Sequence, residues 1–135
     1  MTATPPEAWV APPTPETTAD DLAAIRATIL DYFEGWFDGD AGRMERALHP
    51  GLAKRSLEKD GRTLNETTAE WMIDATARGL GGERDPGDRR IEVEVVDVYG
   101  TIANATVRSA VYREYVQLVR TPEGWKIVNA LWEWT

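Results

Sequence analysis

The chain has 135 residues, of which 42 % are hydrophobic, and a net charge of −8 at pH 7. This length fits one domain with a substantial core, and the negative charge argues against a nucleic-acid partner, which needs clustered Lys and Arg side chains. The chain has no cysteine, so disulfides, thiolate metal ligands and a cysteine nucleophile are excluded.

The distribution of apolar residues disfavours a membrane protein. No apolar run approaches the ~20 residues that cross a bilayer, and the N-terminus lacks the basic segment and apolar stretch of a signal peptide. We therefore expect a cytoplasmic protein without a membrane partner. Six Trp residues in so short a chain favour either a core with bulky side chains or a pocket with aromatic walls.

Proline dominates the beginning of the chain. Because proline lacks the backbone N–H and resists both helices and sheet ladders, residues 1–17 are predicted to form a flexible arm, and residues 18–135 a single domain. Trp9 is the large aromatic residue of the arm and could dock on the domain or on a second subunit. The prolines are Pro5, Pro6, Pro12, Pro13 and Pro15.

Two helices are predicted after the arm. Thr18 and Asp21 match a capping box that begins the first helix. The second helix begins at Asp40 and is predicted to end at His49, because Pro50 disfavours the helical conformation of the residue before it. Apolar residues recur at helical spacing along the first helix and define its buried stripe: Leu22, Ile25, Ile29, Phe33 and Trp36.

A hairpin and a third helix follow. Residues 52–57 and 62–64 are predicted strands, joined by the Asp60-Gly61 turn that is typical of hairpins. A second capping-box sequence begins a third helix over residues 68–78.

The last third of the chain is predicted to be almost entirely strand. Four segments rich in Val, Ile, Tyr and Thr, over residues 91–99, 101–110, 111–121 and 125–134, are joined by short links. Such strands form an antiparallel meander, and helices followed by strands are typical of the α+β class. We predict three N-terminal helices packed on a curved, mainly antiparallel sheet of about six strands, which together enclose a cone with one open end.

Three parts of the sequence form a characteristic set: Tyr32-x3-Trp36-x2-Gly39-Asp40, the pair His49-Pro50, and residues 115–129. They resemble the NTF2-like superfamily, and within it the putative lumazine-binding (SnoaL-like) branch, whose last two strands are similar to residues 115–129. The resemblance extends from about residue 20 to the end of the chain and implies the same conical fold. The superfamily includes isomerases, dehydratases, polyketide cyclases, hydrolases and binding domains, so the resemblance does not select an activity.

His49 and Glu114 are the candidate catalytic residues. His49 is the only histidine, and an imidazole suits proton transfer near neutral pH; alternatively it bonds a backbone carbonyl where the second helix ends. Glu114 is a buried acid that could pair with His49 or Arg55 if Tyr112 and its alternate neighbours face the interior. If Tyr115 and its alternate neighbours face inward instead, Glu114 forms an exposed ion pair. The sequence leaves both possibilities open.

The predicted ligand-binding residues come from several elements. Asn129 and Trp132 have an odd separation in the last strand, so they are expected on opposite faces of the sheet and only one can line the cone. Lys54 and Arg55 are expected at a solvated strand edge, or one of them at the mouth facing an anionic ligand. The predicted ligand-binding set is Tyr32, Trp36, Trp71, Arg55, Tyr112 and Asn129.

Other kinds of chemistry are disfavoured. No His and acid have metal-ligand spacing, and no Gly-rich phosphate loop or Ser nucleophile motif occurs, so neither a metal nor a cofactor is expected. The ketosteroid-isomerase pattern of two acids and a Tyr has no clear match, since Tyr32 could be its Tyr but residues 54–56 contain no acid.

The expected function is binding of a small, flat, partly apolar molecule in the cone. Both faces of the last strand are apolar enough to be covered, which predicts a homodimer through the sheet face. One alternative is a cofactor-free lyase, isomerase or cyclase in which His49 and Glu114 transfer protons. Another is a dimerisation module whose cone is empty.

Overall fold

The computed structural model describes residues 17–135, so the predicted arm lies outside the described residues except for Thr17. Within this range, no helix combines the length and the apolar composition needed to cross a membrane. The helices are α1 (Ala19–Asp38), α2 (Ala41–Ala47) and α3 (Ala69–Ala77), with a 3₁₀ turn at Gly82–Arg84. The strands are β1 (Leu48–Leu57), β2 (Leu64–Thr67), β3 (Glu92–Tyr99), β4 (Ile102–Arg108), β5 (Tyr112–Thr121) and β6 (Gly124–Trp134).

The six strands form one sheet in the order β2-β1-β6-β5-β4-β3. Strands β3 to β6 are the predicted antiparallel meander, whereas β1 pairs parallel with β6 and antiparallel with β2. The helices pack on one face of this sheet, and the core lies between them. The predicted α+β class is therefore confirmed.

Helix α1 begins where the sequence predicts and buries a slightly different stripe. The capping box of Thr18 and Asp21 is formed, and the helix ends at Gly39 in the left-handed conformation, with φ of 70°. Tyr32 and Phe37, which border the predicted stripe, are buried, while Leu22 is exposed. Helix α1 is therefore rotated about its axis relative to the predicted orientation, and the Tyr32 side chain faces the interior. A buried Tyr hydroxyl group needs a hydrogen-bond partner.

Two predicted boundaries are wrong for local reasons. Helix α2 ends at Ala47, and β1 already begins at Leu48, which pairs with Ile127 of β6; His49 is therefore in a strand rather than at a helix end. The second strand begins at Leu64 rather than Arg62, because the Asp60 side chain accepts the N–H groups of Arg62 and Thr63 and extends the turn.

A β-bulge in β6 changes which residues face the core. The pairing with β5 moves from Gln117–Asn129 to Leu118–Ile127, so β6 contains one extra residue, Val128. Ile127 before the bulge and Ala130 after it are both buried, whereas Asn129 is exposed on the outer face. Strict alternation would place Asn129 on the same face as Ile127, but alternation does not continue through a bulge, so Asn129 faces outward.

Gly81 allows the segment after α3 to lie directly on α1. A Cβ atom at this position would lie 2.1 Å from the carbonyl oxygen of Trp36 and 2.6 Å from its indole, so only glycine fits without displacing the backbone. The adjacent Gly82 is less restricted, since its Cβ would meet the carbonyl oxygen of Phe37 at an ordinary 3.5 Å.

We therefore expect Gly81→Ala and Gly82→Ala to differ. Gly81→Ala should lower the free energy of unfolding by about 1–3 kcal/mol, because overpacking forces the backbone to shift. Gly82→Ala should change it by less than about 0.5 kcal/mol. Urea denaturation of the two variants measures the difference, and equal effects would show that the close contact with α1 is not a constraint.

Candidate ligand-binding site

A cavity of about 180 Å³ lies between the helices and the sheet and is partly open to solvent. Side chains from α1, α3, the 3₁₀ turn and strands β1, β2, β5 and β6 form its wall. Aromatic rings form a large part of this wall, which suits a flat and partly apolar ligand. The rings include those of Tyr32, Trp36, Trp71, Tyr112, Trp132 and Trp134.

Three buried polar side chains meet in the wall of the cavity. Tyr32, Lys54 and Glu114 are 2 %, 8 % and 3 % exposed, respectively. The Tyr32 hydroxyl group donates a hydrogen bond of 2.8 Å to Glu114 Oε1, and Lys54 Nζ donates a hydrogen bond to the same hydroxyl group. Lys54 Nζ lies 3.9 Å from Glu114 Oε1, so the phenol links the ammonium to the carboxylate.

Strand alternation and the order of the strands bring Lys54 and Glu114 to the same face of the sheet. Glu114 alternates with the buried Tyr112 and Val116 on the inner face of β5, and Lys54 alternates with the buried Leu52 and Ser56 on the inner face of β1. Strand β6 lies between β1 and β5, and its small Ala130 side chain is the partner of Lys54 across the β1–β6 pair. The small side chain leaves room above β6 that the long Lys54 side chain can use.

Burial dominates the electrostatics of this cluster. It lowers the pKa of Lys54 below its ordinary 10.5, against the opposing charge of Glu114. Burial likewise raises the pKa of Glu114 above its ordinary 4.5, and the Lys54 charge and the Tyr32 hydrogen bond only partly offset this. The pKa of Tyr32 is raised well above 10.0 by burial and then by the Glu114 charge. Both charged groups are therefore shifted toward their neutral forms.

The aromatic wall is fixed by contacts within it. Trp36 Nε1 donates a hydrogen bond of 3.0 Å to the Tyr112 hydroxyl group, which satisfies the indole N–H. The Tyr112 ring lies 5.9 Å from the Phe37 ring and 5.6 Å from that of Trp132. Burial raises the pKa of Tyr112, and the Trp36 hydrogen bond acts in the opposite direction.

The rim of the cavity contains the more exposed groups. Trp71 and Trp134 are 43 % and 49 % exposed, and the Arg84 guanidinium lies 4.6 Å from the Trp134 ring. Thr67 also lines the cavity, and among residues 17–135 its Oγ1 is the one buried side-chain oxygen without a hydrogen-bond partner. An orphan hydroxyl group of this kind is available to a ligand.

The structure brings five of the predicted site residues together. Glu114 takes the inward orientation, with Tyr112 and Val116 buried beside it. The predicted residues that line the cavity are Tyr32, Trp36, Trp71, Tyr112 and Glu114.

The structure separates His49, Arg55 and Asn129 from this cavity. His49 lies in a surface groove with Glu70 and Ile73, and its Nδ1 accepts a hydrogen bond of 2.9 Å from the backbone N–H of Gly51. The predicted pairing of His49 with Glu114 is therefore not formed, and Lys54 approaches Glu114 in its place.

Arg55 and Asn129 lie on the outer face of the sheet. Arg55 follows the inward Lys54 in an alternating strand and forms an ion pair of 3.1 Å with Glu66. Asn129 faces outward because of the bulge at Val128, and its side chain donates a hydrogen bond of 2.9 Å to Gln117. Neither side chain can contact a ligand in the cavity.

Lys54, Trp132 and Thr67 line the cavity but are absent from the predicted set of ligand-binding residues. The average exposure of lysine favours a solvated strand edge or the mouth for Lys54, whereas its spacing from Leu52 indicates that both side chains face inward. Trp132 is one of two alternatives that the sequence leaves open, and the bulge decides between it and Asn129. Thr67 is identified by its pairing with Lys54 across β1 and β2, which depends on the unpredicted register of the hairpin.

The architecture of helices on one face of a six-stranded sheet, with a cavity between, is that of NTF2-like proteins. An NTF2-like protein of unknown function from Silicibacter pomeroyi DSS-3 is similar, with a TM-score of 0.69, 17 % identity and coverage of 89 % of this chain and 100 % of that one. A second, from Shewanella baltica OS155, gives 0.70 and 16 %, with coverage of 90 % and 98 %. A ketosteroid isomerase-like protein from Erwinia carotovora atroseptica SCRI1043 gives 0.61 and 16 %, with 87 % and 98 %.

At these sequence identities, the similar structures show that the fold is shared and no more. A match to a sequence family is more specific. The chain belongs to the family described as "Putative lumazine-binding", which matches residues 20–133. The resemblance inferred from the sequence motifs is confirmed. No curated protein matches the chain.

We expect Lys54→Met to lower the free energy of unfolding by about 3 kcal/mol at neutral pH, because it leaves a buried carboxylate without its cation. Without the ammonium, the folded-state pKa of Glu114 rises further above its unfolded value of about 4.5. The destabilisation should therefore be small below that pH and grow as the pH rises through the folded-state pKa. Urea denaturation over a pH series measures this dependence.

The double variant Lys54→Met/Glu114→Gln should be destabilised by less than the sum of the single variants, with a coupling of about 1–3 kcal/mol. Lys126→Met is the matched control, since this amine donates to a backbone oxygen of Arg46 at the surface and should show no comparable pH dependence. Additive effects of the two buried substitutions would contradict the coupling.

Proposed function

We propose that this protein binds a small, flat, partly apolar molecule in the cavity, with the polar edge of the ligand at Tyr32, Lys54 and Glu114. The observation that supports this most is the buried polar cluster inside an aromatic wall. A buried amine and carboxylate are costly to retain where an apolar core would be at least as stable. Their presence beside a cavity is therefore better explained by a ligand than by stability.

The dimensions and chemistry of the cavity restrict the ligand. An apolar cavity of about 150 Å³ accommodates a benzene-sized molecule, so the 180 Å³ observed here suits one ring or a compact bicyclic system. Lys54 supplies hydrogen-bond donors and ionised Glu114 supplies an acceptor. A ring with a carbonyl group next to an N–H group satisfies both, and the family description supports a heterocycle of this type, such as lumazine.

A second candidate is cofactor-free proton transfer, as in a lyase, isomerase or cyclase. The specific observation in its favour is Glu114, a buried acid whose pKa is raised by burial and which accepts a hydrogen bond from Tyr32. His49 has no part in this version of the hypothesis because it lies in another groove. Glu114 would be the acid–base group, and Tyr32 would orient it.

Lumazine is the first ligand to test. Binding should quench tryptophan fluorescence, because Trp36, Trp71 and Trp132 line the cavity. Glu114→Gln should weaken binding by about 10- to 100-fold, the equivalent of one hydrogen bond to a charged group at roughly 1.5–3 kcal/mol. Glu114→Gln retains the shape of the side chain, and circular dichroism checks its fold.

His49→Ala is the matched control and should bind lumazine as the unmodified chain does. The opposite pattern, with His49→Ala weakened and Glu114→Gln unaffected, would contradict the assignment of the cavity as the site. Absence of quenching by lumazine and by other flat heterocycles of that size would contradict the proposed function itself.

We also propose that the outer face of the sheet packs against a second copy of the chain. Large apolar side chains project from this face without cover in the described chain: Val96, Ile102, Tyr115 and Leu131 are each 53–61 % exposed. Tyr115 and Leu131 are cross-strand neighbours and form the centre of the patch. Exposed apolar patches of this kind mark interaction surfaces. The cytoplasmic location and the lack of a nucleic-acid partner stay predictions from the sequence.

Light scattering at micromolar concentration should give the mass of a dimer. The expected interface is of standard size, ~800 Å² per partner. Leu131→Glu should produce a monomer that still binds lumazine, because the substitution introduces a charge into the patch and leaves the cavity intact. Leu22→Glu is the control, since Leu22 is exposed on α1 and should leave the dimer unchanged. A monomeric unmodified chain would overturn this proposal.

A further inference from the structure

We propose that Lys54 forms an imine with small aldehydes or ketones that enter the cavity. The observation behind this is a juxtaposition: a buried primary amine lies in the cavity wall and is hydrogen-bonded to a hydroxyl group that is itself hydrogen-bonded to a carboxylate. The inference rests on the proposed function in one respect, since the carbonyl compound must first bind in the same cavity.

The surroundings of Lys54 are poorly suited to a permanent ammonium ion. An ammonium group has three hydrogen-bond donors, and within residues 17–135 Tyr32 Oη is the one acceptor to which Nζ donates. The carboxylate of Glu114 is 3.9 Å away, beyond direct hydrogen-bond distance. The rings of Tyr32 and Trp132, at 4.9 and 5.4 Å from Nζ, are weaker compensation. A desolvated lysine in such a pocket is an activated nucleophile.

The hydrogen-bond chain provides a route for the proton. As Lys54 Nζ releases a proton to the Tyr32 oxygen, the Tyr32 hydroxyl proton passes to Glu114 Oε1. The result is a neutral amine with a free electron pair and a neutral carboxylic acid. The directions of the two pKa shifts, both caused first by burial, support this exchange.

The reaction then proceeds with a balanced exchange of atoms. The Nζ electron pair attacks the carbonyl carbon, and the carbonyl oxygen takes the proton from Glu114 by way of Tyr32. The nitrogen loses a proton to the Glu114 carboxylate, which gives a neutral carbinolamine. Glu114 next protonates the hydroxyl group, the C–O bond breaks to release water, and the remaining N–H proton returns to the carboxylate. One amine and one carbonyl compound have become one imine and one water.

Thr67 supplies a further polar group beside Lys54 in the cavity wall. It is the direct partner of Lys54 across β1 and β2, so the two side chains are neighbours on the same face of the sheet. Its buried Oγ1 has no partner in the described residues and lines the same cavity. The hydroxyl group is therefore available to hold the oxygen of the carbinolamine. The aromatic wall favours a flat carbonyl compound, and benzaldehyde is a suitable probe.

Reductive trapping tests this inference. The full chain is incubated with benzaldehyde and cyanoborohydride, which reduces an imine to a stable benzylamine, and peptide mass spectrometry assigns each adduct. The chain has three lysines, Lys54, Lys59 and Lys126, so the two others are internal controls. Lys54 should be labelled at least about tenfold faster than either of them. This is a conservative expectation, because positioned acid–base groups accelerate a reaction by about 10²–10⁴-fold.

Two variants and one additional ligand serve as controls for the labelling of Lys54. Lys54→Arg retains the charge and should lose the adduct, while Glu114→Gln should slow the labelling of Lys54 about tenfold, on the same basis. Benzyl alcohol, which has no carbonyl group, should bind and slow the labelling by competition. Labelling of Lys54 no faster than Lys59 overturns the imine. If benzyl alcohol nevertheless binds, the proposed binding function stands; if it does not bind, the cavity proposal fails as well.

Discussion

The hydrogen bond from the Tyr32 hydroxyl group to Glu114 joins α1 to the inner face of β5, and Lys54 adds β1 to the same connection. All three groups are buried, so each would be costly to retain without the other two. This dependence fixes the rotation of α1, the inward orientation of Glu114 and the position of β1 relative to the helix. The cavity exists where these elements meet, and the same cluster provides its polar chemistry.

Aromatic side chains keep this space open. A cavity bordered by flexible side chains can collapse, whereas the Tyr112 ring is held by a hydrogen bond from Trp36 and by the rings of Phe37 and Trp132. Gly81 contributes from the other side, because its lack of a side chain lets the segment with Arg84 approach α1. The wall is thereby preorganised, which lowers the entropic cost of binding a rigid ligand.

The sequence predicts the elements of this fold well and the site in part. Capping residues and helical spacing identify α1, Tyr32 belongs to the motif that resembles the NTF2-like superfamily, and strand alternation limits Glu114 to two orientations. The bulge at Val128 cannot be inferred from alternation, and it reverses the assignment of Asn129 and Trp132. The residue type of His49 makes it a catalytic candidate, yet its position depends on the pairing of Leu48 with β6, a contact between residues distant in the chain. The average exposure of lysine favours solvent for Lys54, whereas its amine is buried beside the Tyr32 hydroxyl group.

The parallel pairing of β1 with β6 has a consequence for the assembly of the fold. Strand β6 lies between β1 and β5, so a strand that follows β3, β4 and β5 in the sequence occupies the middle of the sheet. Until β6 is in place, β1 and β2 form an isolated hairpin, and the apolar side of α1 has only part of its covering surface. During synthesis, the earlier segments therefore cannot complete the sheet until β6 has been made. Until then they expose apolar surface, which favours aggregation. Disruption of β6 would separate β1 and β2 from the other strands, whereas disruption of an edge strand would only make the sheet narrower.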